Sequence, residues 1–284
     1  MPFTKAENII LVENMYLLIA NYQIRFGQAI LKHFIAENIR MVFSMYYPYY
    51  YGFDWTYIVL VLPCILLSLW ASTKVNSTFK RYSSLLSSNR ITGAQAAQRV
   101  LQRNNVYGVR IEKVSGKLTD HFDPRTNVIR LSDDVYNSTS TAAIGVACHE
   151  AGHAVQHSQQ YFPIKVRSAI IPITNFGSKL ALPLILLGVL FSTLGELSIN
   201  LIYAGIACFS LSLVFQLVTL PVEFDASRRA IIAIEKENLL NDEELKGARK
   251  TLSAAAMTYV AATAVSLAQL IRLITIYGGN RRRR

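Results

Sequence analysis

The sequence predicts a mainly α membrane protein, in which a small α+β domain rests at the membrane surface beside three to four transmembrane helices. Three observations lead there. Four stretches are apolar over roughly the 20 residues a helix needs to cross a bilayer. A polar region, 73–165, separates the first of them from the second and carries short strand-like and helix-like runs. Basic residues, Lys74, Lys80, Arg81, Lys165 and Arg167, gather where the apolar stretches meet polar sequence. Composition agrees: 284 residues are 52% hydrophobic, with a net charge of +11 and a mean hydropathy of +0.28, against a purely soluble protein.

Residues 1–52 form an N-terminal extension, amphipathic and without the short apolar core and small-residue cleavage site of a secretory signal. Met41 and Met45 lie shortly before the first span, and either offers an alternative start. The first transmembrane helix is expected over 53–72, with YIVLVLPCILLSLW at its centre and an aromatic belt at its ends.

Within 73–165, Thr92 and Gln95 have capping-box spacing ahead of a helix from Ala94 to Arg103. Strand-like runs follow at Tyr107–Val114 and Asn127–Leu131, with turn residues Ser115-Gly116 and Asp123-Pro124 between them. A longer helix is expected from Ser140 to about Gln159. Two further spans, Thr174–Leu194 and Leu201–Leu220, are separated only by Gly195–Asn200 and predict an antiparallel hairpin within 166–222. A surface helix should occupy 223–250, and 251–284 reads as an Ala-rich apolar helix with the basic tail Arg281–Arg284.

The long helix of the polar region carries His149-Glu150-Ala151-Gly152-His153. Histidines four apart share a helix face, so both reach one tetrahedral Zn²⁺ at about 2.0 to 2.1 Å. The glutamate after the first histidine stands beside such a metal, where it can deprotonate water and protonate a leaving amine. Small residues around the motif (Gly145, Ala147, Ala151, Gly152, Ala154) and the lack of proline fit a packed helix. His157 lies about 12 Å of helix rise from His149, too far to share its metal, and Gln156 and Gln159 occupy the glycine and histidine positions of the longer HExxHxxGxxH motif.

Glu223 is the candidate third ligand. Two spans and a short turn separate it from His153, and crossing twice returns the chain to its starting face. The competing reading is a juxtamembrane acid paired with Arg228 or Arg229, a role that Asp225 can also fill. Candidate oxyanion stabilisers are His121, Tyr136, Arg228 and Arg229, with ordinary surface roles as the rival. The run Asn127–Ser132 is a candidate edge strand for binding an extended peptide.

These motifs, with HFDPRTNVIRLS before the helix, CHEAGHAVQH within it and LPVEFDASRRA after the hairpin, resemble the YugP-type family of membrane neutral zinc metallopeptidases, distantly similar to the HtpX and CAAX prenyl protease group. The resemblance spans roughly residues 45–280. It implies a zincin-like domain with one gluzincin-like Zn²⁺ per chain on His149, His153 and Glu223, and Glu150 as the catalytic base. It further implies a peptide or membrane-protein substrate at a bacterial plasma membrane. Ser227 stands where the HtpX group has an aspartate, so no partner for the zinc histidines is evident from sequence.

Alternatives are a non-catalytic zinc-stabilised membrane scaffold or assembly factor, an intramembrane protease and a transporter. Against these stand the intact Glu150, the polar ends of the zinc helix and spans without charged pathways. Nucleic acid is not an expected partner, and the oligomeric state is open. The positive-inside rule puts 73–165 in the cytoplasm, but a fourth full crossing would leave Arg281–Arg284 outside, against the same rule.

Overall fold

The computed structural model describes residues 55–117 and 119–278, so the readings on 1–52 and on Arg281–Arg284 lie outside the described residues. Four helices are long and apolar enough to cross a membrane: α1 (Tyr57–Ser83), α5 (Phe162–Leu190), α6 (Glu196–Lys236) and α7 (Asp242–Gly278). Between α1 and α5 come α2 (Gly93–Arg103), β1 (Arg110–Val114), β2 (His121–Asp123), β3 (Val128–Ser132), α3 (Asp133–Tyr136) and α4 (Thr141–Ser158). The protein is a mainly α membrane protein with one small sheet.

The spans alternate in direction, so the end of α1, the start of α5, the end of α6 and the start of α7 converge on the polar region. At about 1.5 Å per residue, α6 and α7 run for about 61 and 55 Å, well beyond a hydrocarbon core of about 30 Å. Their surplus length builds the domain. Ala230, Ala233 and Ile234 of α6 and Ala248 and Leu252 of α7 enter the same core as Val100 and Leu101 of α2, Ile129 and Leu131 of β3, and Ile144 of α4. Expected boundaries differ here. No helix begins at 223, because α6 continues through Pro221 to Lys236, with α4 and α7 packed against it. The fourth helix starts at Asp242, where Asn241 and Glu244 exchange reciprocal side-chain to backbone bonds of 2.9 and 3.0 Å.

The hairpin turns at Gly195, whose φ of +61° suits glycine. Its helices approach closely because Gly188 and Gly205 lack side chains. A Cβ at either would lie 2.8 Å from a carbonyl oxygen, of Ser198 and Ala181 respectively. Hydroxyl contacts add to this packing, with Ser198 donating to Gly188 O at 2.7 Å and Ser178 paired with Ser212 at 2.8 Å.

In the domain, the Thr92 capping box forms as expected and starts α2. Ser140 caps α4 by accepting from the Ala143 N–H at 3.3 Å. Thr141 to Gln156 are all buried, which makes α4 the central element, enclosed by α2, α6, α7 and the sheet. The strand order is β1-β3-β2, with β3 parallel to β1 and antiparallel to β2. The segment 127–132 therefore forms the central strand, contrary to the expected edge: β1 pairs along Val128–Ser132 and β2 along Val128–Arg130. The missed three-residue strand β2 takes one edge, and so brief a run leaves almost no period-2 signal.

Candidate metal centre

His149 and His153 lie one turn apart on α4, with ring centroids 4.7 Å apart. Glu223 comes from α6, with its Oε2 at 3.4 Å from His149 Nε2 and 3.6 Å from His153 Nε2. All three side chains are buried, and their donor atoms lie within 4.8 Å of one another, close enough to hold one metal ion. Among the described residues no other such cluster occurs.

Close packing of two helices makes the convergence possible. A Cβ on Gly152 would stand 2.8 Å from the Ala226 carbonyl oxygen, so α4 and α6 touch backbone to backbone one turn from Glu223. Gly145 faces α7 less tightly, where a Cβ would meet the Ala248 side chain at 3.3 Å. The small residues around the motif thus admit the helices that complete the cluster.

The outer ring nitrogens are held as well. His149 Nδ1 pairs with Ser227 Oγ at 3.1 Å. His153 Nδ1 donates to Gln156 Oε1 at 3.0 Å, and Gln156 Nε2 donates to Val222 O and to Asp225 Oδ2, both at 2.9 Å. Asp225 in turn accepts from Arg228 and Arg229. Ser227 and Gln156 therefore orient the two imidazoles, a role that commonly falls to carboxylates or carbonyls around metals. Gln156 served in the sequence only to exclude a longer motif. Its position, one helical turn from His153, was the available signal.

Glu150 is fully buried, and its Oε1 has no hydrogen-bond partner. The Phe122 N–H of β2 lies on the side of its carboxylate and favours the charged form. Burial first, and then the negative charges of Asp120 and Glu223, hold the Glu150 carboxyl well above the usual carboxylate range. Asp120 is anchored by Ser132, through the main-chain N–H at 2.7 Å and the hydroxyl at 3.1 Å. Burial lowers the affinity of His149 for a proton, favouring the neutral imidazole that can bind a metal.

Arg167, read from sequence as a membrane anchor, reaches Glu223 Oε1 at 3.5 Å from the first turns of α5. Tyr259 of α7 also faces Glu223. Neither carried a motif; only the packing of α5 and α7 brings them near. Of the candidate oxyanion stabilisers, Arg228 and Arg229 are engaged by Asp225, His121 pairs with Thr119 O at 2.8 Å, and Tyr136 packs against the core. His157 is apart from the cluster, with its ring 5.8 Å from that of Phe122.

Residues 57–278 match a family model described as "Putative neutral zinc metallopeptidase". The chain is also similar to "Putative membrane protease YugP" of Bacillus subtilis (strain 168). The two are 48% identical over 221 residues, which cover 78% of this chain and 96% of that relative. No solved structure matches the chain.

Proposed function

Because the chain belongs to the YugP-type family of neutral zinc metallopeptidases, we propose that it is a membrane-bound zinc metalloendopeptidase in which His149, His153 and Glu223 hold one Zn²⁺ per chain and Glu150 is the general base. The observation that carries this reading is the convergence of three donor atoms from two helices beside a buried, unpartnered carboxyl oxygen. The donor set fits zinc: two imidazole nitrogens and a carboxylate oxygen leave a fourth position open. Glu223 Oε2 has no hydrogen-bond partner although it is buried and aimed at both Nε2 atoms. Such a group is costly unless a cation satisfies it.

Zinc bound here supplies a Lewis acid that polarises the scissile carbonyl and brings the pKa of a water down toward neutrality. Glu150 takes the proton of the attacking water and passes it to the nitrogen of the departing fragment. Ser227 and Gln156 keep the rings aimed, and Arg167 steadies the outer oxygen of Glu223.

The substrate is a peptide or membrane-protein segment that lies in extended form along β2. That strand is an edge of the sheet, and its Phe122 N–H lies on the side of the base. N-methyl scanning of a model substrate tests this: unaltered cleavage at every position would dispose of it. Lys74, Lys80, Arg81, Lys165 and Arg167 lie toward the domain ends of α1 and α5, which supports a cytoplasmic site at a bacterial plasma membrane.

The decisive experiment is Glu150→Gln in purified, zinc-loaded protein reconstituted in liposomes. Zinc content should stay at the wild-type level while peptide cleavage falls by about 10²- to 10⁴-fold. Cleavage at the wild-type rate would overturn the catalytic reading in favour of a zinc-stabilised scaffold.

A further inference from the structure

Arg167 does not behave as an interfacial anchor. Such an arginine lays its stem along apolar surface and lifts its head group into water. Arg167 turns inward from the second turn of α5: its side chain is 26% exposed, and its Nε is buried without a hydrogen-bond partner. The chain route explains the direction. Only residues 159–161 separate α4 from α5, and the Tyr161 N–H donates to Gln156 O at 2.9 Å, closing the turn. Helix α5 therefore starts beside the end of the helix that carries His149 and His153.

The pairing with Glu223 is loose. Nη1 stands 3.5 Å from Glu223 Oε1, whereas a charge-assisted N–H···O bond closes to about 2.7–2.9 Å. Arg228 and Arg229, by contrast, are hydrogen-bonded to Asp225. A buried donor left unmatched is costly, and that cost is recovered when the guanidinium turns to an incoming oxygen. The charge of Arg167 also acts on His149 and Glu150, so it is near the base as well as the third ligand.

We propose that Arg167 is the catalytic residue that binds the scissile carbonyl oxygen as it becomes an oxyanion. The inference rests on the peptidase reading above. When water adds to the carbonyl carbon, a C–O bond forms, one water proton passes to Glu150, and the π electron pair of the carbonyl moves onto its oxygen. A guanidinium, always charged and with five donors in a rigid fork, bonds that oxyanion more strongly than the neutral carbonyl. Collapse of the tetrahedral intermediate returns the electron pair to the C=O bond and breaks the C–N bond, and the nitrogen takes the proton from Glu150. Glu223, sharing its charge with a cation, neutralises Arg167 only in part. The guanidinium stays available to the oxyanion.

The test compares Arg167→Met and Arg167→Lys with wild-type protein in liposomes. Zinc content is measured in each and held at saturation, so that any loosening of Glu223 is made good. Arg167→Met should lower kcat by about 10²- to 10³-fold, the usual cost of losing an oxyanion donor, and leave KM little changed. Arg167→Lys, which keeps the charge but loses the fork, should fall between it and wild type. A phosphinic peptide, whose tetrahedral anion resembles the intermediate, should bind Arg167→Met more weakly by about the factor lost in kcat. The ordinary peptide of the same sequence, measured in the Glu150→Gln background, should bind with and without Arg167→Met alike. If zinc-saturated wild type cleaves no peptide, the peptidase reading falls and this role with it. Cleavage by Arg167→Met at the wild-type rate overturns the role alone and leaves Arg167 as a counter-charge to Glu223. Equal weakening of phosphinic and ordinary peptides shows that Arg167 holds the unreacted substrate, which also overturns the assignment. Where Arg167→Met takes up no zinc, Arg167→Lys decides: a wild-type kcat with unchanged phosphinic affinity overturns the role.

Discussion

At the scale of single residues, the centre depends on groups that no motif announces. Ser227 and Gln156 fix the imidazoles through their Nδ1 atoms. Removing such partners costs metal affinity of about 10- to 100-fold in comparable sites. Ser227→Ala should therefore weaken zinc binding by about that factor in chelator competition. Gln156→Ala should do the same and also destabilise the protein by about 1–3 kcal/mol, because it leaves His153 Nδ1 without its partner in the interior. Unchanged zinc affinity in both would refute the orienting role. Asp123 offers a test by pH. Burial raises its pKa, but bonds from Thr126, the Arg125 N–H and Arg130 outweigh this and lower it to about 2. A depressed folded value means that its contribution to stability is present above the ordinary carboxylate pKa and is lost as the pH falls toward 2. Asp123→Asn should cost about 0.5–1.5 kcal/mol near neutrality, and the gap to wild type should close in acid; a gap independent of pH would contradict this assignment.

At the scale of elements, the site is a contact between helices. Glu223 meets the histidines because α6 lies against α4 at Gly152, where a methyl group would collide with the Ala226 carbonyl. Gly152→Ala gains helix propensity but must push the two backbones apart. The expected result is a net loss of about 1–3 kcal/mol, with weakened zinc binding as Glu223 withdraws. Thermal unfolding with and without a chelator would show both, and a variant more stable than wild type would disprove the close approach. The same contact explains what sequence reasoning could and could not read. Helix α4, its Ser140 cap and the spacing of His149 and His153 are local, and they lay open in the chain. The continuation of α6 past Pro221 was hidden, since the proline and the charges after it imitate a helix start. The start of α7 had a signal in Asn241 and Glu244, but the apolar count began only at Thr251.

Across the whole molecule, four helices alternate so that the domain sits at one end of the bundle. Tyr203, in the early turns of α6, donates to the Tyr277 carbonyl at 3.3 Å, so α7 returns the full length of the hairpin. If all four cross the bilayer, an epitope in the β1–β2 turn and a reporter joined after Gly278 should be accessible from opposite sides. Labelling of both from one side would mean that α7 does not cross. With charge counts alone, the positive-inside rule left this point open; the packing of α7 against α1 and α6 supplies the reason to expect a full crossing.

By itself the sequence determined a membrane protein with a histidine pair and a glutamate on one helix, because hydrophobic length and i, i+4 spacing are properties of neighbouring residues. Only the tertiary structure decided which distant groups join them. Glu223 was already the candidate third ligand in the sequence, and helix packing brings it to the histidines; Ser227, Arg167 and Tyr259 join the centre through that packing, and β2 rather than β3 became an edge through strand order. Contacts between residues far apart in the chain depend on where backbones can approach, and at this centre a single missing side chain, at Gly152, sets that approach.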